Sequence, residues 1–226
     1  MHAVPSPSVQ LITGAWRDLD DLEVRVAAAL RGGILWVQLR AKDRSARELY
    51  DAATRIAPML REAGGLLVIN DRVDVALAVD AGGVHLPEHG MSPAAARRLL
   101  GDAAWIGRSV HSLEAIRATP AGLVDAFQFG PVFDTASKRE FGAPQGIAEL
   151  ARAAKTAREE CGAALVAVGG ITADRVADCH RAGATAVAVI GAVWNADEVE
   201  ASAGLVVLSQ PCSSFRASLG SGEPEK

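Results

Sequence analysis

The sequence predicts an α/β fold, a single (β/α)8 TIM barrel, and three observations carry that expectation. Eight short apolar runs alternate strictly with eight segments of helical spacing, which implies parallel pairing through right-handed crossovers. The chain has 226 residues, half of them hydrophobic, enough for one large core and an ordinary length for eight such units. Polar residues with chemical capability gather just after the runs, at the strand C-termini where this architecture carries its sites. An open doubly wound sheet is the competing arrangement.

The elements follow in order. Residues 9–13 form a first apolar strand, and residues 20–30 a helix with Leu22, Val24, Val26, Ala27 and Leu30 at helical spacing, stopped by Gly32-Gly33. The second strand lies in the run 34–43. Ser45 caps a helix over 45–63, with Glu48 three residues on completing a capping box. Residues 66–69 form the third strand, followed by a short helix over 72–79. The fourth strand, 83–86, carries His85, and Ser92 with Pro93 opens a helix ending at residue 100. The fifth strand is expected at 104–107, with Arg108 to His111 beyond it and Ser112 capping the next helix. The sixth strand, 124–129, opens into a long loop over 130–145, then a helix over 146–160. A seventh strand at 164–168 ends in Gly169-Gly170, and Thr172 caps a helix reaching residue 182. An eighth strand at 185–190 ends in Gly191, and a last helix over 197–208 is apolar all round. Residues 1–208 are thus expected to form the barrel domain. Residues 209–226, rich in Ser, Gly, Pro and charge, are expected to be a flexible tail.

Composition excludes several roles. A net charge of −4 gives nucleic acid no general electrostatic footprint, so any anion binding must be local. Cys161, Cys179 and Cys212 are odd in number and widely spaced, which fits neither a metal cluster nor a disulfide framework and suits a reducing cytoplasm. The first eight residues lack an apolar signal core, and no apolar run approaches the ~18 residues needed to span a membrane.

The second strand is the anchor of the functional reading. Gln38, Arg40 and Lys42 fall at every second position, so a continuing strand turns all three to one face. Two cations cannot sit unpaired in a dry core, so this end emerges either at a solvated edge or at a wet mouth aimed at an anion. Asn70 and Asp71 follow the third strand, Glu88 and His89 the fourth, Ser109 and His111 the fifth, and Thr135, Ser137 and Lys138 the sixth. Glycines after strands seven and eight suit a phosphate held by backbone N–H groups, so Gly169, Gly170 and Gly191 are candidates for one anion site. Arg40, Lys42 and Lys138 make a second cationic centre. Asp71 suits a divalent cation such as Mg²⁺, or an ion pair with Arg40 or Arg72. His85 reads as a hydrogen-bonded core imidazole or a substrate contact. His111 is a general acid or base, or merely the residue before a cap.

At these residues the chain resembles the family of thiamine phosphate synthase and its relative, thiazole tautomerase. The resemblance is carried, in order, by Val37-Gln-Leu-Arg-Ala-Lys-Asp43, Ile69-Asn-Asp-Arg-Val-Asp74, Gly83-Val-His-Leu86, Gly107-Arg-Ser-Val-His-Ser112, Phe129-Gly-Pro-Val-Phe-Asp-Thr-Ala-Ser-Lys138, Val168-Gly-Gly-Ile171 and Val187-Ala-Val-Ile-Gly191. It implies coupling of a hydroxymethylpyrimidine diphosphate to a thiazole phosphate, releasing pyrophosphate. It further implies that Gln38, Arg40, Lys42, Asn70, Ser109 and Lys138 hold the pyrimidine diphosphate and that Asp71 binds Mg²⁺. Thr135 and Ser137, with the backbone at Gly169-Gly170 and Ile190-Gly191, would hold the thiazole phosphate. The partners expected are small phosphorylated molecules, with no nucleic acid and no membrane, and a homodimer is left open.

Two departures stand out. The synthases carry an acidic stretch after the fourth strand whose final Asp is a second magnesium ligand. Here the stretch is Leu86-Pro-Glu-His-Gly90, with Gly90 in that place. The tautomerase carries a catalytic His in the sixth loop, where this chain has Pro131. A tautomerase-like isomerase moving a proton through His111 or His89, and a non-catalytic binder of thiazole phosphate, are therefore the alternatives to a synthase.

Overall fold

The computed structural model describes residues 2–6, 8–135 and 143–210. Eight parallel strands, each paired with its sequence neighbours, close into a barrel: β1 (Val9–Ile12), β2 (Trp36–Leu39), β3 (Leu66–Asn70), β4 (Gly83–Leu86), β5 (Trp105–Val110), β6 (Ala126–Phe129), β7 (Ala164–Val168) and β8 (Ala186–Val189). Closure rules out the open sheet. Around it run α1 (Leu19–Arg31), α2 (Ala46–Glu62), α3 (Val73–Ala78), α4 (Pro93–Leu100), α5 (Leu113–Arg117), α6 (Gly146–Cys161), α7 (Ala173–Arg181), α8 (Gly191–Trp194) and α9 (Val199–Leu208).

Local chemistry sets many of the boundaries. Ser45 and Glu48 form the capping box of α2, while Ser92 and Ser112 accept from the backbone N–H groups of Ala95 and Ala115. Thr172 does stand at the start of α7, but it makes no backbone cap; its hydroxyl donates to Asp174 at 2.6 Å.

Three other expectations are corrected. The second strand ends at Leu39, so Lys42 lies in an exposed turn beyond the alternation that was to aim it. The fifth strand runs on to Val110, because Ser109 and Val110 pair with Gln128 and Phe129 of β6; Ser109 is therefore a strand residue, not a loop residue. Among the described residues there is one helix more than expected, the single turn α8, which follows β8 directly. Trp194 at its end donates its indole N–H to the carbonyl of Ala15 at 2.8 Å and packs where a side chain at Gly14 would stand.

Two apolar layers result. Outward-facing residues such as Leu11, Val37, Ile69 and Phe127 meet the helices. Ile12, Trp36, Val68, Trp105, Ala126, Val166, Ala186 and Ala188 fill the barrel interior, where the two indoles meet edge to face at 5.1 Å. The N-terminal floor also holds charge. Asp125, just before β6, is fully buried and accepts from Arg97 at 3.1 Å and from the backbone of Ile106 at 2.8 Å. Arg97 also donates to the carbonyl of Ala104 at 2.6 Å. Ser209 and Gln210 are the described start of the expected tail, and Gln210 accepts from the backbone of Ser8 at 3.1 Å; the rest of it lies outside the described residues.

Candidate functional site

The inward register brings four of the candidates to one mouth. Ile12 pairs with Gln38, Gln38 with Val68, Asn70 with His85, and Ser109 with Gln128. With period-two alternation, Gln38, Asn70, His85 and Ser109 therefore point inward at neighbouring strands near their C-terminal ends. Arg40 continues the Gln38 face one step beyond β2.

Arg40 is fixed by a residue that the sequence did not single out. The hydroxyl of Thr13 accepts from the Arg40 backbone N–H at 2.9 Å and donates to the Arg40 carbonyl at 3.2 Å. These two hydrogen bonds tie the backbone at Arg40, just beyond β2, to the end of β1. Arg40 is half-buried, and among the described residues it makes no ion pair. Burial pulls its pKa below the usual arginine value, and Asp43 opposes that from a distance. Beneath it, Gln38 is 1% exposed and its Nε2 has no hydrogen-bond partner. An unpaired guanidinium above an unpaired amide is a poor arrangement for an empty protein and a good one for holding a polar anion.

His85, buried on β4, lies with Nε2 2.8 Å from the Ser109 hydroxyl. Burial, with the Arg40 charge adding to it, pushes its pKa down to about 3, so the ring is neutral. Asn70 ends β3 half-buried. The next residue, Asp71, has a left-handed backbone at φ 66°, a conformation Asp tolerates better than most residues, and its N–H bonds to the carbonyl of His85 at 2.8 Å.

Asp71 is exposed at the rim. Arg72 does not pair with it but with Asp74, and among the described residues nothing hydrogen-bonds its carboxylate. Gly90 faces it: a Cβ built there would lie 3.1 Å from Asp71 Oδ1. Among the described residues no three His, Cys, Asp or Glu side chains converge on a metal position. Mg²⁺, however, keeps most of its water and is commonly held by one or two carboxylates together with substrate phosphates. A free rim carboxylate beside a cationic anion site fits that pattern.

The opposite side of the mouth is built from the loops after β6, β7 and β8. Gly169 and Gly170 have φ of 97° and 64°. A side chain on Gly170 would strike the Asp134 carbonyl at 2.6 Å, so the glycine also lets the sixth loop pack closely. That loop runs along the seventh through bonds from Val132 and Phe133 N–H to the carbonyls of Val168 and Gly169. Arg175 clamps both, donating to the Gly170 carbonyl at 2.5 Å and stacking over Phe133 at 4.6 Å. The half-buried Thr135 ends this described stretch, and Ser137 and Lys138 lie outside the described residues. Ile190 precedes α8, and Gly191 begins it, exposed.

His111 is separate from this group. It is exposed on the rim beyond β5, with Nδ1 3.5 Å from Glu88 Oε2, and Glu88 is tied back through its carbonyl to Arg108 at 3.0 Å. Lys42 and His89 are exposed as well. No helix among the described residues is long and apolar enough to cross a membrane.

Comparison with known proteins agrees with this geometry. Residues 9–193 match the family model described as thiamine monophosphate synthase. A thiamine-phosphate synthase of Chloroflexus aurantiacus is 42% identical over 179 residues, 79% of this chain and 80% of that protein. One from Chlorobium luteolum is 41% identical over 204 residues, covering 90% and 92%. Among solved structures, a thiamine phosphate pyrophosphorylase from Pyrococcus furiosus superposes with a TM-score of 0.75 at 29% identity, covering 94% of this chain and 97% of that one.

Proposed function

The chain belongs to the thiamine monophosphate synthase family, and on that premise we propose that it joins a hydroxymethylpyrimidine diphosphate to a thiazole phosphate, giving thiamine phosphate and pyrophosphate. The observation that carries the reading is the half-buried Arg40 guanidinium, which makes no ion pair among the described residues and is set above the orphaned Nε2 of Gln38. On this reading the diphosphate binds there.

The step is a substitution at the pyrimidine methylene. The C–O bond to diphosphate breaks and its electron pair leaves with the oxygen, so negative charge grows on the leaving group while the pyrimidine carries the positive charge. Arg40 meets the growing negative charge at fixed distance from a partly dry site, where the effect is larger than in water. Lys42 in its turn, and Lys138 in the sixth loop, supply further positive charge. The Ser109 hydroxyl donates to the diphosphate, and Gln38 and Asn70 orient the pyrimidine end. The thiazole phosphate sits against Gly169-Gly170 and Ile190-Gly191 with Thr135 and Ser137. That places the thiazole nitrogen to form the new C–N bond, and no protein base is required. Asp71 would hold Mg²⁺ with the diphosphate oxygens, and the ion would supply Lewis-acid neutralisation of the leaving group.

The test is product analysis with both substrates and Mg²⁺, at equal protein and with Arg40→Ala alongside. Thiamine phosphate and pyrophosphate in equal amounts are expected, with the variant slower by about 10²–10³-fold. Interconversion of thiazole tautomers without coupling would replace the reading with an isomerase. Binding of thiazole phosphate without turnover would replace it with a carrier.

A further inference from the structure

A serine hydroxyl 2.8 Å from an imidazole looks like a nucleophile with its base. The surroundings of the ring point the other way. We propose that His85 is a positioning residue whose Nε2–H donates to Ser109 Oγ, so that the serine proton is turned outward to the diphosphate; this rests on the function proposed above.

The argument is one of counting donors. A neutral imidazole has one N–H and one lone pair, and the bond to Ser109 uses only Nε2. The other nitrogen, Nδ1, is buried without a partner among the described residues. It abuts Gly107, where a Cβ would lie only 2.8 Å away, so the neighbouring strand offers it a CH₂ and no acceptor. Placing the proton on Nδ1 would bury an N–H with nothing to receive it, and orphaned buried N–H groups are rare. The barrel interior already has a surplus of such donors: among the described residues the indole N–H groups of Trp36 and Trp105 and the amide nitrogens of Gln10 and Gln38 are all unpartnered. A fifth would add to the imbalance, whereas a lone pair on Nδ1 does not. The proton therefore belongs on Nε2.

The consequence falls on Ser109. Its oxygen accepts from His85, so its own hydrogen is free to rotate toward the mouth, where Ser109 is partly exposed. The serine becomes a committed donor to an oxyanion. It cannot be activated as a nucleophile, since the neighbouring nitrogen holds a proton rather than a lone pair. The pair is thus wired in the reverse sense to a hydrolase dyad.

The direct test is ¹⁵N NMR of the full chain labelled in its imidazoles, without substrate. For His85, a protonated Nε2 and a bare Nδ1 are expected; the opposite tautomer overturns the proposal. Because no turnover is involved, this outcome is independent of whether the coupling activity is present. The kinetic test uses two replacements. His85→Gln returns an N–H donor near the position of Nε2, and His85→Phe fills the volume without one. His85→Phe is expected to lower kcat on the order of 10–100-fold, as loss of a group behind a catalytic contact commonly does, with KM changed less than about twofold. His85→Gln should recover most of that loss. In a Ser109→Ala background His85→Phe should add nothing. In variants that keep the denaturation midpoint of the unmodified chain, equal damage from both replacements, or additive losses in the double variant, overturns the proposal; where a variant folds poorly, the spectrum of the unmodified chain decides.

Discussion

Each end of the barrel encloses an arginine, and the two are treated in opposite ways. On the floor, Arg97 is bonded to a fully buried carboxylate and to backbone carbonyls, and that carboxylate is itself bonded by a backbone N–H. At the mouth, Arg40 is half-buried with no ion pair among the described residues, over an amide that also lacks a partner. The same side chain serves integrity at one end and readiness at the other. Polar groups that satisfy one another leave nothing for a ligand. Polar groups left wanting lower the stability of the empty protein and create a place for an anion.

The comparison breaks most sharply at the floor. Asp125→Ala should cost about 3–5 kcal/mol of unfolding free energy, because it strands a buried guanidinium and a backbone N–H. Urea denaturation measures it, and the activity per folded molecule should stay near that of the unmodified chain. A stable but inactive variant would mean that the two ends are not separable. At the mouth the outcome should invert. Arg40→Ala should lose about 10²–10³-fold in turnover while its denaturation midpoint stays level or rises, since an unpaired buried charge has been removed.

The rim carboxylate gives the next contrast. Asp71, whose carboxylate nothing hydrogen-bonds among the described residues, faces Gly90, where a side chain would reach it. Asp71→Ala should abolish diphosphate-dependent Mg²⁺ uptake measured by calorimetry. Gly90→Asp should instead tighten Mg²⁺ binding by about tenfold, because two carboxylates share one cation. In metal-free buffer the added acid should lower the melting temperature slightly, through repulsion between like charges. Unchanged metal affinity in Gly90→Asp would mean that the two positions do not converge on one ion.

Much of this was legible before any coordinates. The eight apolar runs, the glycine stops and the Ser45–Glu48 box are short-range signals, each decided within a few residues, and the strands β3, β4 and β7 fall within a residue of the expected limits. The inward set Gln38, Asn70 and His85 follows from period-two alternation on those strands. What was hidden depends on contacts across the fold. The Thr13 bonds to Arg40 span 27 positions, and the Arg97–Asp125 pair spans 28, so neither leaves a local pattern. Arg108-Ser109-Val110 reads as a loop because it is polar and follows a glycine, yet pairing with β6 makes it strand. Trp194 likewise looks like one more apolar residue until its indole is seen to hold the loop after β1. Ser137 and Lys138 rest on the sequence resemblance alone.

The smallest effect is a pH dependence that separates the ring at the mouth from the carboxylates elsewhere. His85 is neutral in the fold, with its pKa pushed down to about 3 by burial, while in the unfolded chain it takes up a proton near 6.5. Between those values the unfolded state binds more protons, so unfolding becomes easier as pH falls, by up to about 1.4 kcal/mol per pH unit. His180, also lowered by burial, adds in the same direction. The carboxylates held low by bonds, Asp21, Asp74 and Glu48, stabilise the fold above their unfolded values near 4, and they lose that contribution only at lower pH. The interval from about pH 6.5 to 4.5 therefore isolates the histidines. Urea midpoints measured across it should fall less in His85→Phe than in the unmodified chain. Parallel curves would mean that the imidazole is already exchanging protons with solvent, and the mouth would then be wetter than the orphaned amide of Gln38 implies.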